Sequence, residues 1–318
     1  MNYKPIIIVA GEPNSIFFEL FFKVIKKKIK SPIILIASKK LITKQAKILK
    51  KKIKFNIVYD FEIIKKNNLK KINLIDVDFN QSSAFDKITS KSNRYIATCF
   101  NIAIKLLKNN VSNKLINGPI SKKTFLKKKF NGITEYLANK TNTKKFAMII
   151  YNKNLSVCPL TTHLPIKHVS KKINKLEIIN KVKLIDSFWK EKFKKKVKIG
   201  VTGLNPHCES IDSFNEDKKI ILPTIKKLKK LMYNIEGPLA ADTIFLKNNR
   251  KKFDLIIGMY HDQVLTPIKT LFEYDAINIT IGLPFLRVSP DHGPNESMVG
   301  KNKSNYLSLL NSIKFLDF

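Results

Sequence analysis

Short, strongly apolar runs alternate with stretches of helical periodicity along the whole chain. That alternation restricts the fold more than any other feature. The runs are PIIIVAG (5–11), PIILIAS (32–38), FNIVYD (55–60), KLINGPI (114–120) and FAMIIYN (146–152). They continue with LSVCPLTTH (155–163), KIGVTGLNP (198–206), FDLIIGMY (253–260) and AINITIGLPF (276–285). Several are apolar at consecutive positions, as strands buried on both faces are. Helices lie between them. One covers RYIATCFNIAIKLLKNN (94–110). Another starts near Ser170, a suitable N-cap, and carries Ile173, Leu176, Ile179, Val182, Ile185 and Trp189 at three- or four-residue spacing as one buried stripe. Strands alternating with helices predict an α/β fold, with helices covering a mostly central sheet. Segment 65–83 is polar and is expected to be rich in loops. No Pro/Gly linker marks a domain boundary, which suggests domains that share strands.

The length of 318 residues predicts two domains or one large α/β unit. A net charge of +36 has the sign of a nucleic-acid binder. The kind of basic residue argues otherwise. Of 60 Lys+Arg, only Arg94, Arg250 and Arg287 are arginine, whereas readers of bases and phosphates use arginine's planar fork. Lysine, isoleucine and asparagine are inflated together, as an AT-rich genome would do, and the lysines are scattered over helical faces. The resulting field still draws anionic substrates. Cys99, Cys158 and Cys208 form no CxxC pair, and their odd number opposes a disulfide framework. They read as small core residues of a chain in a reducing cytoplasm. No apolar run reaches membrane-spanning length. The opening MNYKPIIIVAG is too short in its apolar part for a signal peptide and reads as a first strand.

The chain has five histidines, and three of them close apolar runs. His163 ends VCPLTTH, His207 ends IGVTGLNPH and His261 ends LIIGMYH. Ligands of α/β proteins bind beyond the carboxyl ends of strands, so three imidazoles delivered to one such edge can hold a divalent metal and leave a position open for substrate. Taken singly, each reads more readily as a capped or core histidine; three in the same setting shift the balance toward a metal. His168 reads as a surface residue, and His292 lies in a turn. No GxGxxG is present, and GPNESMVGKN (293–302) fails as a phosphate loop, with Asn302 where a magnesium-binding Ser or Thr belongs. Lys269, Asn278 and Arg287 each adjoin apolar sequence near the last strands. Arg287 there is either a bidentate anchor for phosphate or carboxylate or a snorkelling surface cation.

Seven blocks come in a known order: NGPISK, GITEYLA, TTHLP, GLNPH, GPLAADTIF, MYHDQ and NITIGLPFLRVSPDHG. From Gly11 to about Lys301 the chain resembles the 4-hydroxythreonine-4-phosphate dehydrogenases of vitamin B6 synthesis. The resemblance implies a two-domain α/β/α fold like that of isocitrate and isopropylmalate dehydrogenases, not a classical Rossmann fold. It places a first domain at 1–130 plus 265–318, a second at 131–264, and the active site in the cleft between them. It also implies a homodimer, NAD or NADP, and one divalent ion (zinc, magnesium or cobalt). The family's metal ligands fall on His163, His207 and His261, shared across the dimer. Its substrate contacts fall on Thr134, Lys269, Asn278 and Arg287. Asp242 and Lys269 are the candidate catalytic side chains, Asp242 being equally well a helix N-cap. Cofactor-binding positions are not assigned. Two departures stand out. The family's GHTE is here GITE, with Ile133, and its GDPAGIGPE is here GEPNSIFFE, which keeps Glu12 and Pro13 but carries Ser15, Phe17 and Phe18 in place of glycines and a proline.

The activity so implied is oxidation of the C3 hydroxyl of 4-phosphooxy-L-threonine to a β-keto acid, which decarboxylates to 3-amino-2-oxopropyl phosphate. Rival expectations are a dehydrogenase of 4-phosphoerythronate or 4-phosphothreonate on the same fold, and a lysine-rich nucleic-acid binder that has lost catalysis. The expected partners are the phosphorylated substrate and a second copy, with no specific nucleic acid and no membrane.

Overall fold

The computed structural model describes residues 3–59, 69–127 and 129–318. Its strands are β1 (Ile6–Val9), β2 (Ile33–Ala37), β3 (Asn56–Ile57), β4 (Ile72–Asp76), β5 (Lys114–Asn117), β6 (Ala147–Tyr151), β7 (Ser156–Pro159), β8 (Ile199–Thr202), β9 (Ile235–Leu239), β10 (Leu255–Gly258), β11 (Ile277–Ile281) and β12 (Leu286–Pro290). The chain divides into two compact units, one of Met1–Leu137 with Pro284–Phe318, the other of Ala138–Leu283.

The first unit orders its strands β3-β4-β2-β1-β5-β12, every pairing parallel. Both faces of such a sheet are covered, which is why Ile6, Ile7, Ile8 and Val9 are all fully buried. Helices Phe17–Val24, Asn93–Lys108 and Leu307–Leu316 supply the cover. Phe17 and Phe21, and likewise Phe18 and Phe22, stack one turn apart inside it. Successive strands leave β1 in opposite directions, so the crevice between the carboxyl ends of β1 and β5 is a topological switch point. Gly118 permits the close approach of the two chain segments there, because a Cβ on it would lie 2.1 Å from the Ala10 carbonyl oxygen.

The second unit orders its strands β11-β6-β7-β10-β8-β9. β7, β10, β8 and β9 run parallel, and β6 is antiparallel to both of its neighbours. Helix His261–Phe272 packs back over β7 and β10, burying Val264 and Ile268 against Val157 and Ile256.

Several elements differ from expectation. The polar stretch 65–83 contains β4, whose Leu74 is buried and whose Asn73 donates its amide to the Ile33 carbonyl. Residues 65–68 of that stretch, and Asp60 of the FNIVYD run, lie outside the described residues. β9 and β12 were unmarked in the sequence. The run 276–285 is broken by Gly282 at φ +92 into β11 and a turn toward β12. The helix expected from Ser170 starts later: Ile173 is extended, and Asn174 caps Lys175–Phe193 by accepting from the Glu177 amide. Ile178 is buried on that helix where Leu176 had been expected, and Leu176 is 63% exposed. Among the described residues no helix is long and apolar enough to cross a membrane. Cys99 and Cys158 are buried free thiols, pushed up to about 12 and about 11 by burial, while Cys208 is half-exposed.

Candidate active site

In the second unit, β7, β10, β8 and β9 point their carboxyl ends the same way, and each is followed within a few residues by a site candidate. His163 follows β7, His261 follows β10, His207 follows β8 and Asp242 follows β9. Backbone pairing continues past the strands: the Leu160 and Thr161 amides donate to the Gly258 and Met259 carbonyls, and Thr161 Oγ1 donates to Met259 O at 2.7 Å. The TTH and MYH loops therefore stay side by side, and the His163 and His261 rings come within 5.4 Å, centroid to centroid.

Two of the histidines sit in strained backbone. His163 has φ +47 and His207 φ +53, and Cys208 continues at φ +63. A non-glycine residue held there costs on the order of 1–3 kcal/mol and persists where its surroundings over-determine it. His261 opens its helix, and its Nδ1 lies 2.7 Å from Asp262 Oδ1. A carboxylate only accepts, so Nδ1 is the donor of this bond, and a carboxylate on one ring nitrogen is the usual arrangement of a histidine that binds metal through the other. His207 Nδ1 lies 3.9 Å from Asp242 Oδ2, and both side chains are largely exposed. Asp242 does not cap its short helix, whose N-cap is Ala240.

Imidazoles delivered by adjacent parallel strands, one of them braced by a carboxylate, suit a divalent ion such as zinc in donor type. Within one chain the fit is partial. Among the described residues no three His, Cys, Asp or Glu side chains come close enough to hold a metal. His163 and His261 are together, and His207 stands apart from them with Asp242.

The sequence did not mark the residues that hold these loops. Gln263 Oε1 accepts from Thr202 Oγ1 and from the Met259 amide, and its Nε2 donates to Gly203 O. It thereby ties the start of the His261 helix to the exit of β8. Lys269 lies half-buried on the same helix, two turns from His261, about 12 Å along the axis. Asn278 is half-buried inside the sheet, on β11 opposite Ile150, which pairs with Val157. Neither is at the histidine edge. His168 is exposed.

The first unit holds Arg287 and Thr134. Arg287 is 1% exposed. Its Nε donates to Asn117 Oδ1 at 2.7 Å and its Nη1 to Thr134 Oγ1 at 3.4 Å. Burial pushes the guanidinium down to about 9, against the field of Glu135, so it stays charged at neutral pH. This is no snorkelling cation. It reaches toward the carboxyl ends of β5 and β1, and Asn117 is a partner that the sequence left unmarked. Ile133 opens helix Ile133–Lys140 beside Thr134.

The GEPNSIFFE loop occupies the same edge. Glu12 is 1% exposed, and its carboxylate accepts from the Asn14 amide and from Ser92 Oγ. Asn14 and Gln81 exchange a reciprocal pair of amide hydrogen bonds, and Ser15, Phe17 and Phe18 are all buried. The positions that differ from the family pattern are packed and hydrogen-bonded, not open.

Residues 28–316 match the family model described as pyridoxal phosphate biosynthetic protein PdxA. The chain belongs to the PdxA family. A 4-hydroxythreonine-4-phosphate dehydrogenase from Sulfurihydrogenibium sp. is 36% identical over 313 residues, 96% of this chain and 95% of the relative. The PdxA architecture is equally clear from solved structures. A crystal structure of 4-hydroxythreonine-4-phosphate dehydrogenase from Klebsiella pneumoniae superposes with a TM-score of 0.82 at 24% identity, covering 98% of each chain. Isocitrate dehydrogenase from Methylococcus capsulatus shares the fold at a TM-score of 0.51 and 8% identity, covering 98% of this chain and 84% of that one. The PdxA fold is thus the non-Rossmann α/β type of the isocitrate dehydrogenases.

Proposed function

We propose that this chain is a 4-hydroxythreonine-4-phosphate dehydrogenase of pyridoxal phosphate synthesis. Family membership supports the reading, and one observation carries it: His163, His261 and His207 leave the carboxyl ends of three adjacent parallel strands, β7, β10 and β8. His163, His207 and His261 would hold a zinc, magnesium or cobalt ion, which when bound supplies a Lewis acid that lowers the pKa of an alcohol and stabilises charge on its oxygen. Oxidation at C3 of 4-phosphooxy-L-threonine releases a proton from the hydroxyl and a hydride, accepted by NAD or NADP. The β-keto acid so formed loses CO2 to give 3-amino-2-oxopropyl phosphate.

The side chains do the rest. Arg287, held by Asn117 and Thr134, presents a fixed positive charge for the phosphate. Lys269 and Asn278 serve the anionic ends, and Asp242, beside His207, accepts a proton or orients the amino group. This is mostly catalysis by orientation. Two copies are inferred to build each site. Lys269 and His261 lie two helical turns apart in one chain, and the substrate's phosphate and hydroxyl are joined by a short arm, so the contacts are best met by side chains of different copies. Exposed apolar side chains on the loops beyond β7, β8 and β9 (Ile166, Ile211, Phe214 and Leu246) suit burial against that second copy.

Purified protein is expected to reduce NAD or NADP with 4-phosphooxy-L-threonine, to lose this activity to a chelator, and to turn over 4-phosphoerythronate and 4-phosphothreonate far more slowly. Preference for either acid would replace the proposed substrate. Silence on all three would remove the assignment.

A further inference from the structure

Asp217 has no place in the chemistry above, yet it is the most deeply buried carboxylate near the histidine edge, at 0% exposure. It opens the π-helical turn Asp217–Ile221, and such turns recur at functional sites. No cation pairs with it among the described residues. Burying an anion without a counter-ion is costly unless N–H donors replace its water. Three do so. Oδ1 accepts from the Leu204 amide at 2.8 Å, and Oδ2 accepts from the Asn205 amide at 3.1 Å and from Asn205 Nδ2 at 2.9 Å. Asn205 Nδ2 also reaches Glu216 Oε2 at 3.2 Å. The carboxylate seats against Gly203, where a Cβ would come within 2.6 Å of Asp217 Oδ1.

What these bonds fix is the entry to the His207 turn. Asn205 O accepts from the Cys208 amide, and Pro206 O from the Glu209 amide, so the turn is built directly on the residue that Asp217 grips. Inside it His207 and Cys208 both take left-handed backbone, φ +53 and +63. On the opposite side the same segment is held by Gln263, through Thr202 Oγ1 and Gly203 O. Residues 202–205 are thus clamped between the helix that carries His261 and the turn that carries Asp217. The His207 side chain itself is 75% exposed, so no packing of its own holds it in place.

We propose that Asp217 is a positioning residue for His207: its buried carboxylate holds Leu204 and Asn205 so that the following turn presents the imidazole in one fixed orientation beyond the carboxyl end of β8. This rests on the reading of His207 as a metal ligand. Asp217 itself touches neither metal nor substrate.

The test is equilibrium titration of the metal-free full-length protein with Co2+, read by visible absorbance, on wild type, Asp217→Asn, Asn205→Ala and His207→Ala, each checked for a cooperative melt. Asp217→Asn keeps the shape and turns one acceptor oxygen into a donor facing N–H groups. It is expected to weaken Co2+ binding about 10- to 100-fold, the range seen when residues that orient metal ligands are changed. Asn205→Ala removes the one side-chain donor, Nδ2, from the other side of the same contact and is expected to weaken binding in the same direction, by about tenfold, which keeps the test decisive if Asp217→Asn does not fold. His207→Ala is expected to abolish the signal. A folded Asp217→Asn or Asn205→Ala protein that binds Co2+ within about twofold of wild type, whatever its melting point, overturns the positioning role. If His207→Ala binds as wild type does, the metal reading fails first and the positioning role falls with it.

Discussion

At the scale of single residues, buried charges carry most of the information. Arg287 is enclosed with Asn117 and Thr134 as its hydrogen-bond acceptors. Lysine cannot reproduce two donors at fixed angles. Arg287→Lys is therefore expected to lower stability by about 1–3 kcal/mol in urea denaturation and to raise KM for the phosphorylated substrate more than it lowers kcat; an unchanged KM would remove Arg287 from the phosphate contact. Glu12 makes the second residue-scale prediction. Burial, and then the field of Glu296, lift its carboxyl above the ordinary 4.5, against the opposing hydrogen bonds from Asn14 and Ser92. The folded state therefore holds this proton more tightly than the unfolded one, so this group's contribution falls as pH rises through the interval from 4.5 to the raised value. Relative to Glu12→Gln, wild type should gain melting temperature as the solution is acidified through that interval, and a difference that stays constant across it would contradict the account. The sequence showed Arg287 as a rare arginine beside apolar residues but not its burial, because its cover comes from Asn117 and Thr134, distant in the chain. Asp217 and Gln263 were invisible for the same reason, since a side chain that works by gripping another loop has no local pattern.

At the scale of elements, strands buried on both faces were plain in the sequence, because consecutive Ile and Val residues have few other uses. β4 was hidden by its lysine and asparagine flanks. β9 is an edge strand with an exposed Glu236 and little apolar content. β12 carries buried Arg287 and Ser289 where the pattern expects aliphatics. The close approach of the chain beyond β1 and β5 also depends on a local choice that the pattern does not show, the glycine at 118. Gly118→Ala would drive a methyl group toward the Ala10 carbonyl and the Phe17 ring. It is expected to cost about 1–3 kcal/mol, measurable as a lower denaturation midpoint with an unchanged slope. A variant as stable as wild type would show that this contact has room to relax.

At the scale of the whole molecule, the sequence could nominate His163, His207 and His261 from their common position after apolar runs. It could not show that β7, β10 and β8 are neighbours, because strand order is set by crossovers that leave no mark on the strands themselves. Whether one copy suffices is a question of assembly. If His207 and His261 serve one ion from different copies, then mixing inactive His207→Ala and His261→Ala chains under exchange conditions restores activity, since one of the two sites in each mixed dimer has every ligand. No restoration would place all three in one chain. The central claim is that these three imidazoles converge on a single cation, and anomalous diffraction at the zinc edge from crystals grown with zinc reads it directly. The account predicts one peak per chain, at about 2.0–2.1 Å from a nitrogen of each histidine, whether the rings come from one copy or two. A peak that excludes any one of them, or none at the histidine edge, would contradict it.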